Sequence, residues 1–147
     1  MNPITVLFVC IHNSARSQMA ETFLNRLGGG KFKAESAGIE PGKLNPIVVE
    51  AMKEIGIDIS GNPTKSVFDF LNQGKTYDYV ITVCDETSGQ RCPVFPGKAV
   101  KRLHWGFDDP SGLQGTFKEK LEKTIAIRNQ IQAKILEFIK EVDPESL

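Results

Sequence analysis

The sequence predicts an α/β fold: a four-stranded parallel sheet with helices on both faces, forming a single three-layer domain over residues 1–147. Three observations lead there. Short β-type runs alternate with helix-type periodicity along the chain, which implies parallel strands joined by right-handed crossovers. The first run, residues 4–9, is apolar throughout except for Thr5, as a strand covered on both faces requires. A chain of 147 residues suits one domain and buries roughly 68–70% of its unfolded surface, so it needs no metal or disulfide staple.

Each element has its own warrant. From Ser14 the period changes: Met19, Ala20, Phe23, Leu24 and Leu27 fall on one helical face, and Gly28-Gly29-Gly30 ends the helix. Residues 32–38, FKAESAG, read as a short strand. Asn45-Pro46 is an N-cap followed by proline at the first helical position. Val48, Val49, Met52 and Ile55 then form a stripe that Gly56 stops. A shorter helix is expected over Thr64–Asn72. YDYVITVC, 77–84, is a strong β run, expected beside the strand 4–9, and AVKRLHW, 99–105, is a weaker one. From Phe117 to Val142 the apolar positions Phe117, Leu121, Ile125, Ile131, Ile135, Phe138, Ile139 and Val142 mark a long amphipathic helix.

Composition narrows the function. Lys+Arg and Asp+Glu are both 18, a net charge of zero that argues against general nucleic-acid binding and electrostatic membrane docking. The apolar runs fall short of the ~20 residues of a membrane span, and no basic stretch precedes the first, so a soluble cytoplasmic protein is expected. Three cysteines are an odd number and too few for a disulfide scaffold; in a reducing compartment they read as buried, catalytic or redox-active.

The chemistry centres on CIHNSARS, residues 10–17, where Cys10 ends a predicted strand and Arg16 stands at a helix start. Ligands of parallel sheets bind beyond the carboxyl ends of the strands. Backbone N–H groups of such a loop converge on its centre, and with the helix dipole they favour an anion or a thiolate. Arg16 adds a planar fork of donors matched to a tetrahedral oxyanion. Ser17 is placed to donate to the Cys10 sulfur, and Asn13 tolerates the left-handed backbone that shapes a tight loop. Set against this is a plain buried cysteine and a surface arginine, because a six-residue spacing is common by chance. A second stretch, LHWGFDDPSG (103–112), offers Asp108 or Asp109 as an acid for a departing oxygen, although Asp-Asp-Pro-Ser-Gly is also good turn chemistry.

VLFVCIHNSARSQMAE together with DDP resembles the low-molecular-weight protein tyrosine phosphatase superfamily, and within it the arsenate reductases of the same fold. ESAGIEP, GIDIS, ITVCDE, RCPVFPG and HWGFDDPSG extend the resemblance from residue 4 to about residue 140. The resemblance implies that Cys10 is the nucleophile, that the loop Cys10, Ile11, His12, Asn13, Ser14, Ala15, Arg16 and Ser17 binds the oxyanion, and that Asp109, just before Pro110, is the general acid. The substrate implied is arsenate, with phosphate or sulfate as analogues.

A phosphatase lets water break its cysteine adduct, whereas a reductase needs a second thiol to reach the first and a third to regenerate it. Cys84 and Cys92 bracket the seven residues DETSGQR. If these were helical, the eight steps would span about 12 Å, and the helix would have to open to bring the Cα atoms within the ~4.4–6.8 Å of a disulfide. Read alone, Cys84 is an ordinary buried strand-end thiol and Cys92 a loop residue beside Pro93. By resemblance to the thioredoxin-coupled reductases, Cys84 and Cys92 are the cysteine pair of the redox disulfide that thioredoxin, an external dithiol, reduces; because Cys84 follows the strand expected beside the Cys10 strand, it is expected to attack Cys10 and Cys92 to resolve the bridge. No tightly bound cofactor and no metal is implied. Ser111-Gly112-Leu113 follow Asp109-Pro110, where phosphatases of this fold carry tyrosines, so a small inorganic oxyanion fits better than phosphotyrosine.

The family resemblance also implies a cation site. Asn13, Glu21 and Ser36 match three positions of a potassium site, and Lys65 stands in the stretch of the missing carboxylate, where its ammonium can replace the ion. His12 reads as a structural residue of the loop and His104, beside Trp105, as packing; neither forms a metal-ligand pattern with the cysteines. The competing readings are a small phosphomonoester hydrolase and a non-catalytic oxyanion-binding module.

Overall fold

The computed structural model describes residues 2–84 and 97–143. Its elements are β1 (Ile4–Cys10), α1 (Arg16–Leu27), β2 (Phe32–Gly38), α2 (Pro46–Lys53), α3 (Val67–Asn72), β3 (Tyr77–Cys84), β4 (Ala99–Gly106) and α4 (Phe117–Val142). The four strands form one sheet in the order β2-β1-β3-β4, and every pairing is parallel. Val6, Leu7, Phe8 and Val9 are fully buried, as a central strand demands. Thr5 breaks the apolar run for a reason: its backbone N–H donates to Asp78 Oδ2 at 2.9 Å, and its hydroxyl accepts from the Asp78 N–H at 3.0 Å. The start of β1 is thereby fixed against the start of β3.

Alternation divides the buried side chains between the two faces of the sheet. Phe8 and Ile81 pack with α1, α2 and α4, while Leu7, Val9 and Val80 pack with Val67 and Phe70 of α3. An aromatic chain, Phe8–Trp105–Phe138–Tyr79, crosses the first face with centroid separations of 5.7, 5.6 and 5.2 Å. Such pairs contribute roughly 0.5–1.5 kcal/mol each beyond burial. Trp105 anchors the end of β4, so the residues after it start from a rigid base. α4 opens with a capping box in which Thr116 accepts from the Glu119 N–H and Glu119 reaches back to Thr116. Those bonds hold the Glu119 carboxyl below its ordinary range.

Several boundaries depart from expectation. Ser14 and Ala15 belong to the loop rather than to α1, and Ser14 O accepts from Asn45 N at 3.0 Å. Thr64–Ser66 are not helical: Ser66 caps α3 by accepting from the Phe68 N–H, and Gly38 N donates to Lys65 O at 2.8 Å, extending the sheet. Ile55 lies past the end of α2 and is exposed, and Ile57 and Ile59 fill the core instead. Phe117, at the first turn of α4, is also exposed. No helix among the described residues is long and apolar enough to cross a membrane.

Candidate active site

β1 delivers Cys10 to the carboxyl edge of the sheet, 4% exposed and a free thiol. The loop after it turns back so that Asn13 N donates to Cys10 Sγ at 3.0 Å and Ser17 Oγ lies 2.8 Å from the same sulfur. Asn13 makes that turn at φ 55°, the one non-glycine residue with positive φ among those described. Its side chain is shared inward: Nδ2 donates to Ser17 Oγ and Ser36 Oγ, each at 2.9 Å, and Oδ1 accepts from Lys65 N at 2.9 Å. No side chain caps the start of α1, so its first N–H groups remain directed into the loop.

Arg16 reaches across the loop toward the end of β4. Its Nη1 donates to Phe107 O at 3.1 Å, and Nη2 lies 3.5 Å from Asp109 Oδ2. Asp109 accepts from Ser111 N through Oδ1 and caps the single 3-10 turn Pro110–Gly112. Turn residue and acid candidate are therefore one side chain: one carboxylate oxygen shapes the turn and the other faces the guanidinium. Cys10, Ile11, His12, Ser14, Ala15, Arg16, Asp109 and Ser111 line one small cavity. Of the two adjacent aspartates only Asp109 lines it, and no Phe, Tyr or Trp among the described residues does.

The four residues matched to a cation site also cluster. Lys65 Nζ lies 2.9 Å from Glu21 Oε1, and Ser36 Oγ donates to the same oxygen at 3.0 Å. Through Asn13 this cluster abuts the Cys10 loop. Two contributors escaped the sequence reading. Gln18, fully buried, donates from Nε2 to Asn13 O and to Pro63 O. Gly38 leaves no room for a side chain, since a Cβ there would lie 2.6 Å from Ile11 O and 2.8 Å from Asn13 N. Both lie inside the SARSQ and ESAG stretches, but their roles depend on neighbours distant in sequence.

Cys84 is fully buried at the end of β3 and disulfide-bonded. Cys92 lies outside the described residues. β1 and β3 are adjacent, with Val9 opposite Thr82, so Cys84 stands one residue further along than Cys10. With strands about 4.8 Å apart and about 3.3 Å of rise per residue, the two Cα atoms are about 6 Å apart. The pairing also decides the faces: Cys10 points with Phe8, and Cys84 with Val9 and Thr82. The two sulfurs thus leave neighbouring strands on opposite faces of the sheet. His104, paired with Thr82 in the β3–β4 ladder, shares the Cys84 face, with Nδ1 3.9 Å from its sulfur.

The family model of low molecular weight phosphotyrosine protein phosphatases matches residues 5–146. The arsenate reductase of Bacillus subtilis (strain 168) is 45% identical over 135 residues, covering 90% of this chain and 93% of that protein. A solved arsenate reductase in the phosphate binding state superposes with a TM-score of 0.78 at 32% identity, over 95% of this chain and 99% of that one. A thioredoxin-dependent arsenate reductase of Corynebacterium glutamicum aligns with a TM-score of 0.57 at 31% identity, over 92% of this chain and 63% of that one. A free thiol in a tight loop at the carboxyl edge of the sheet, a matching family model and close reductase relatives agree, and the chain belongs to the arsenate reductase family built on the low molecular weight phosphotyrosine protein phosphatase fold.

Proposed function

We propose that this protein reduces arsenate to arsenite in the cytoplasm, through Cys10, Cys84 and Cys92, and that thioredoxin regenerates it. One observation carries the reading: a free thiol sits in the oxyanion loop while the cysteine ending the adjacent strand is oxidised. A hydrolase needs only the first; a reductase needs both.

The chemistry follows from those atoms. Cys10 thiolate forms a sulfur–arsenic bond, and one arsenate oxygen leaves as water, protonated by Asp109 acting as general acid. Arg16 and the loop N–H groups hold the remaining oxygens. In the enzyme whose Cys84 disulfide has first been reduced by thioredoxin, Cys84 thiolate then bonds to Cys10 Sγ. The sulfur–arsenic bond breaks with its electron pair going to arsenic, which departs as arsenite, and the two sulfurs together lose two electrons. Cys92 thiolate attacks Cys84 Sγ and releases Cys10. The Cys84–Cys92 disulfide passes its oxidation to the thioredoxin dithiol by exchange. A Cα separation of about 6 Å lies within the range of a Cys10–Cys84 bridge, but the opposed faces mean that the end of β3 turns to make it. Lys65 is assigned the place of the cation, neutralising Glu21 behind the loop.

The test supplies arsenate, thioredoxin, thioredoxin reductase and NADPH, and measures NADPH consumed against arsenite formed. Equal amounts, with negligible arylphosphate hydrolysis, are expected; hydrolysis without arsenite would assign a phosphatase. Replacing thioredoxin by glutathione and glutaredoxin should stop turnover after one cycle. In the Cys92→Ser protein, peptide mass spectrometry after arsenate and alkylation should find Cys10 bridged to Cys84, with one arsenite released per chain.

A further inference from the structure

The segment after β2 runs alongside the Cys10 loop and is tied to it repeatedly: Glu40 N donates to Ile11 O at 2.8 Å, Gly42 N to His12 O at 3.0 Å and Asn45 N to Ser14 O at 3.0 Å. The last of these residues also reaches the opposite wall of the site. Asn45 Oδ1 accepts from Ile47 N at 3.0 Å, and because a backbone N–H only donates, that bond fixes which way the amide points. Nδ2 is left for Ser111 and donates to its Oγ at 3.2 Å. Ser111 belongs to the turn capped by Asp109, and its N–H donates to Asp109 Oδ1 at 2.9 Å. Asn45 therefore fastens the Asp109 turn to the Cys10 loop from outside the cavity, as Arg16 does from within through Phe107 O and Asp109.

Two spaces meet at this bond. On one side is the oxyanion cavity, about 10 Å³, close to the space one water needs, so a tetrahedral anion already fills it. On the other is a groove of about 410 Å³, lined by Asn45 itself, by the apolar Leu44, Ile47 and Leu113, and by Lys43 and Lys120. Among the described residues, Ser111 alone lines both. An organic group carried by the anion would have to leave the cavity past Ser111 and lie in the groove. We propose that the Asn45–Ser111 hydrogen bond is a specificity-determining clasp, which closes the oxyanion cavity against the groove and restricts the site to inorganic tetrahedral anions. The proposal rests on the reading of the Cys10 loop as the oxyanion site. It assigns selectivity to a bond between two polar side chains at the rim, not to the groups that hold the anion.

The experiment uses the full-length reduced protein and two probes, inorganic phosphate and phenylphosphonate, at one pH where both are dianions. Phenylphosphonate replaces one oxygen by a phenyl group that only the groove can take. Calorimetry should find phosphate bound more tightly by the wild type. Asn45→Ser still caps α2 but is too short to reach Ser111, and it should shift the affinity ratio toward phenylphosphonate by roughly three- to tenfold, the scale of one hydrogen bond. Ser111→Ala should shift the ratio similarly, and the double variant should gain no more than either single change, since both remove the same bond. Asn45→Asp keeps the cap and can accept from the Ser111 hydroxyl, so its ratio should stay that of the wild type; its added charge disfavours both dianions alike. An unchanged ratio in either single variant, or additive shifts in the double, overturns the clasp and leaves the oxyanion loop standing, as do equal wild-type affinities for the two probes. Failure of the wild type to bind phosphate overturns the oxyanion reading and the clasp with it.

Discussion

Two strand ends at one edge of the sheet present cysteines, and they are built differently. Cys10 leads into a loop that folds back over it, so its sulfur meets Asn13 N and Ser17 Oγ within seven residues of chain. That loop is then locked from three sides, by Gly38, Gln18 and Lys65. Cys84 is met from a different strand, His104 of β4 placing its Nδ1 3.9 Å from the sulfur. On the proposed roles the difference has a reason: a site that holds an anion in one geometry is preorganised, whereas a sulfur that passes between partners stands at a strand terminus. The two faces of the sheet reinforce the contrast, since Cys84 can engage Cys10 only by leaving its strand register.

The largest expected effects separate the two ends. Cys10→Ser should abolish arsenite production while leaving oxyanion binding, and Arg16→Lys should abolish both, because an ammonium cannot supply a bidentate fork. Cys84→Ser should keep the adduct on Cys10 and release no arsenite, seen as a mass increase on the Cys10 peptide. Normal arsenite release from Cys84→Ser would erase the distinction between the two cysteines.

Next come changes at the rim and brace of the loop. Asp109→Asn should slow the first chemical step by roughly 10²–10⁴-fold in single-turnover kinetics, the usual contribution of a general acid. Asp108→Asn should leave it near normal, and the reverse pattern would reassign the acid. Gly38→Ala forces its Cβ into the Ile11 carbonyl, so oxyanion affinity should fall more than global stability does. Urea unfolding beside sulfate titration would show which loss is larger.

Lys65→Met leaves Glu21 with Ser36 but no cation. Since Lys65 and Glu21 side chains are only 24% and 16% exposed, stability should fall by about 1–3 kcal/mol, with partial recovery in high potassium. The smallest effect lies at the opposite end of the Cys84 strand. Burial, then the nearby Glu35 carboxylate, raises the Tyr77 hydroxyl far above its ordinary 10.0. The folded state therefore resists losing this proton, and its contribution, complete below pH 10, is lost as the pH climbs beyond it. Alkaline unfolding should be less steep in Tyr77→Phe.

Much of this was legible in the sequence, for reasons that differ by region. Strand and helix order came from periodicity and punctuation, and the residues of the Cys10 loop came from one uninterrupted stretch whose chemistry is local. The left-handed Asn13 and the pairing of Ser17 with Cys10 follow from that stretch alone. The start of α1 was misplaced because Ser14 and Ala15 look helical but are drawn into the loop by Asn45. Thr64–Ser66 were misread because an extension of the sheet depends on Gly38, 26 residues before Thr64. The opposed faces of Cys10 and Cys84 were invisible for the same reason: side-chain direction depends on register, and register is a relation between strands.

The sheet standing between the two sulfurs has a consequence for survival in an oxidising cell. Peroxide acting on the thiolate of Cys10 would form a sulfenic acid, and Cys84, disulfide-bonded and on the far side, could condense with it only after being reduced and after the same turn of the strand end. Were Cys84 reduced, the opposed faces would still insulate the two sulfurs from each other until the strand end turned. Such insulation has a counterpart risk: a sulfenic acid with no resolving thiol at hand is open to further, irreversible oxidation. Titration with hydrogen peroxide, with and without bound phosphate, would show whether overoxidised Cys10 accumulates ahead of any Cys10–Cys84 bridge.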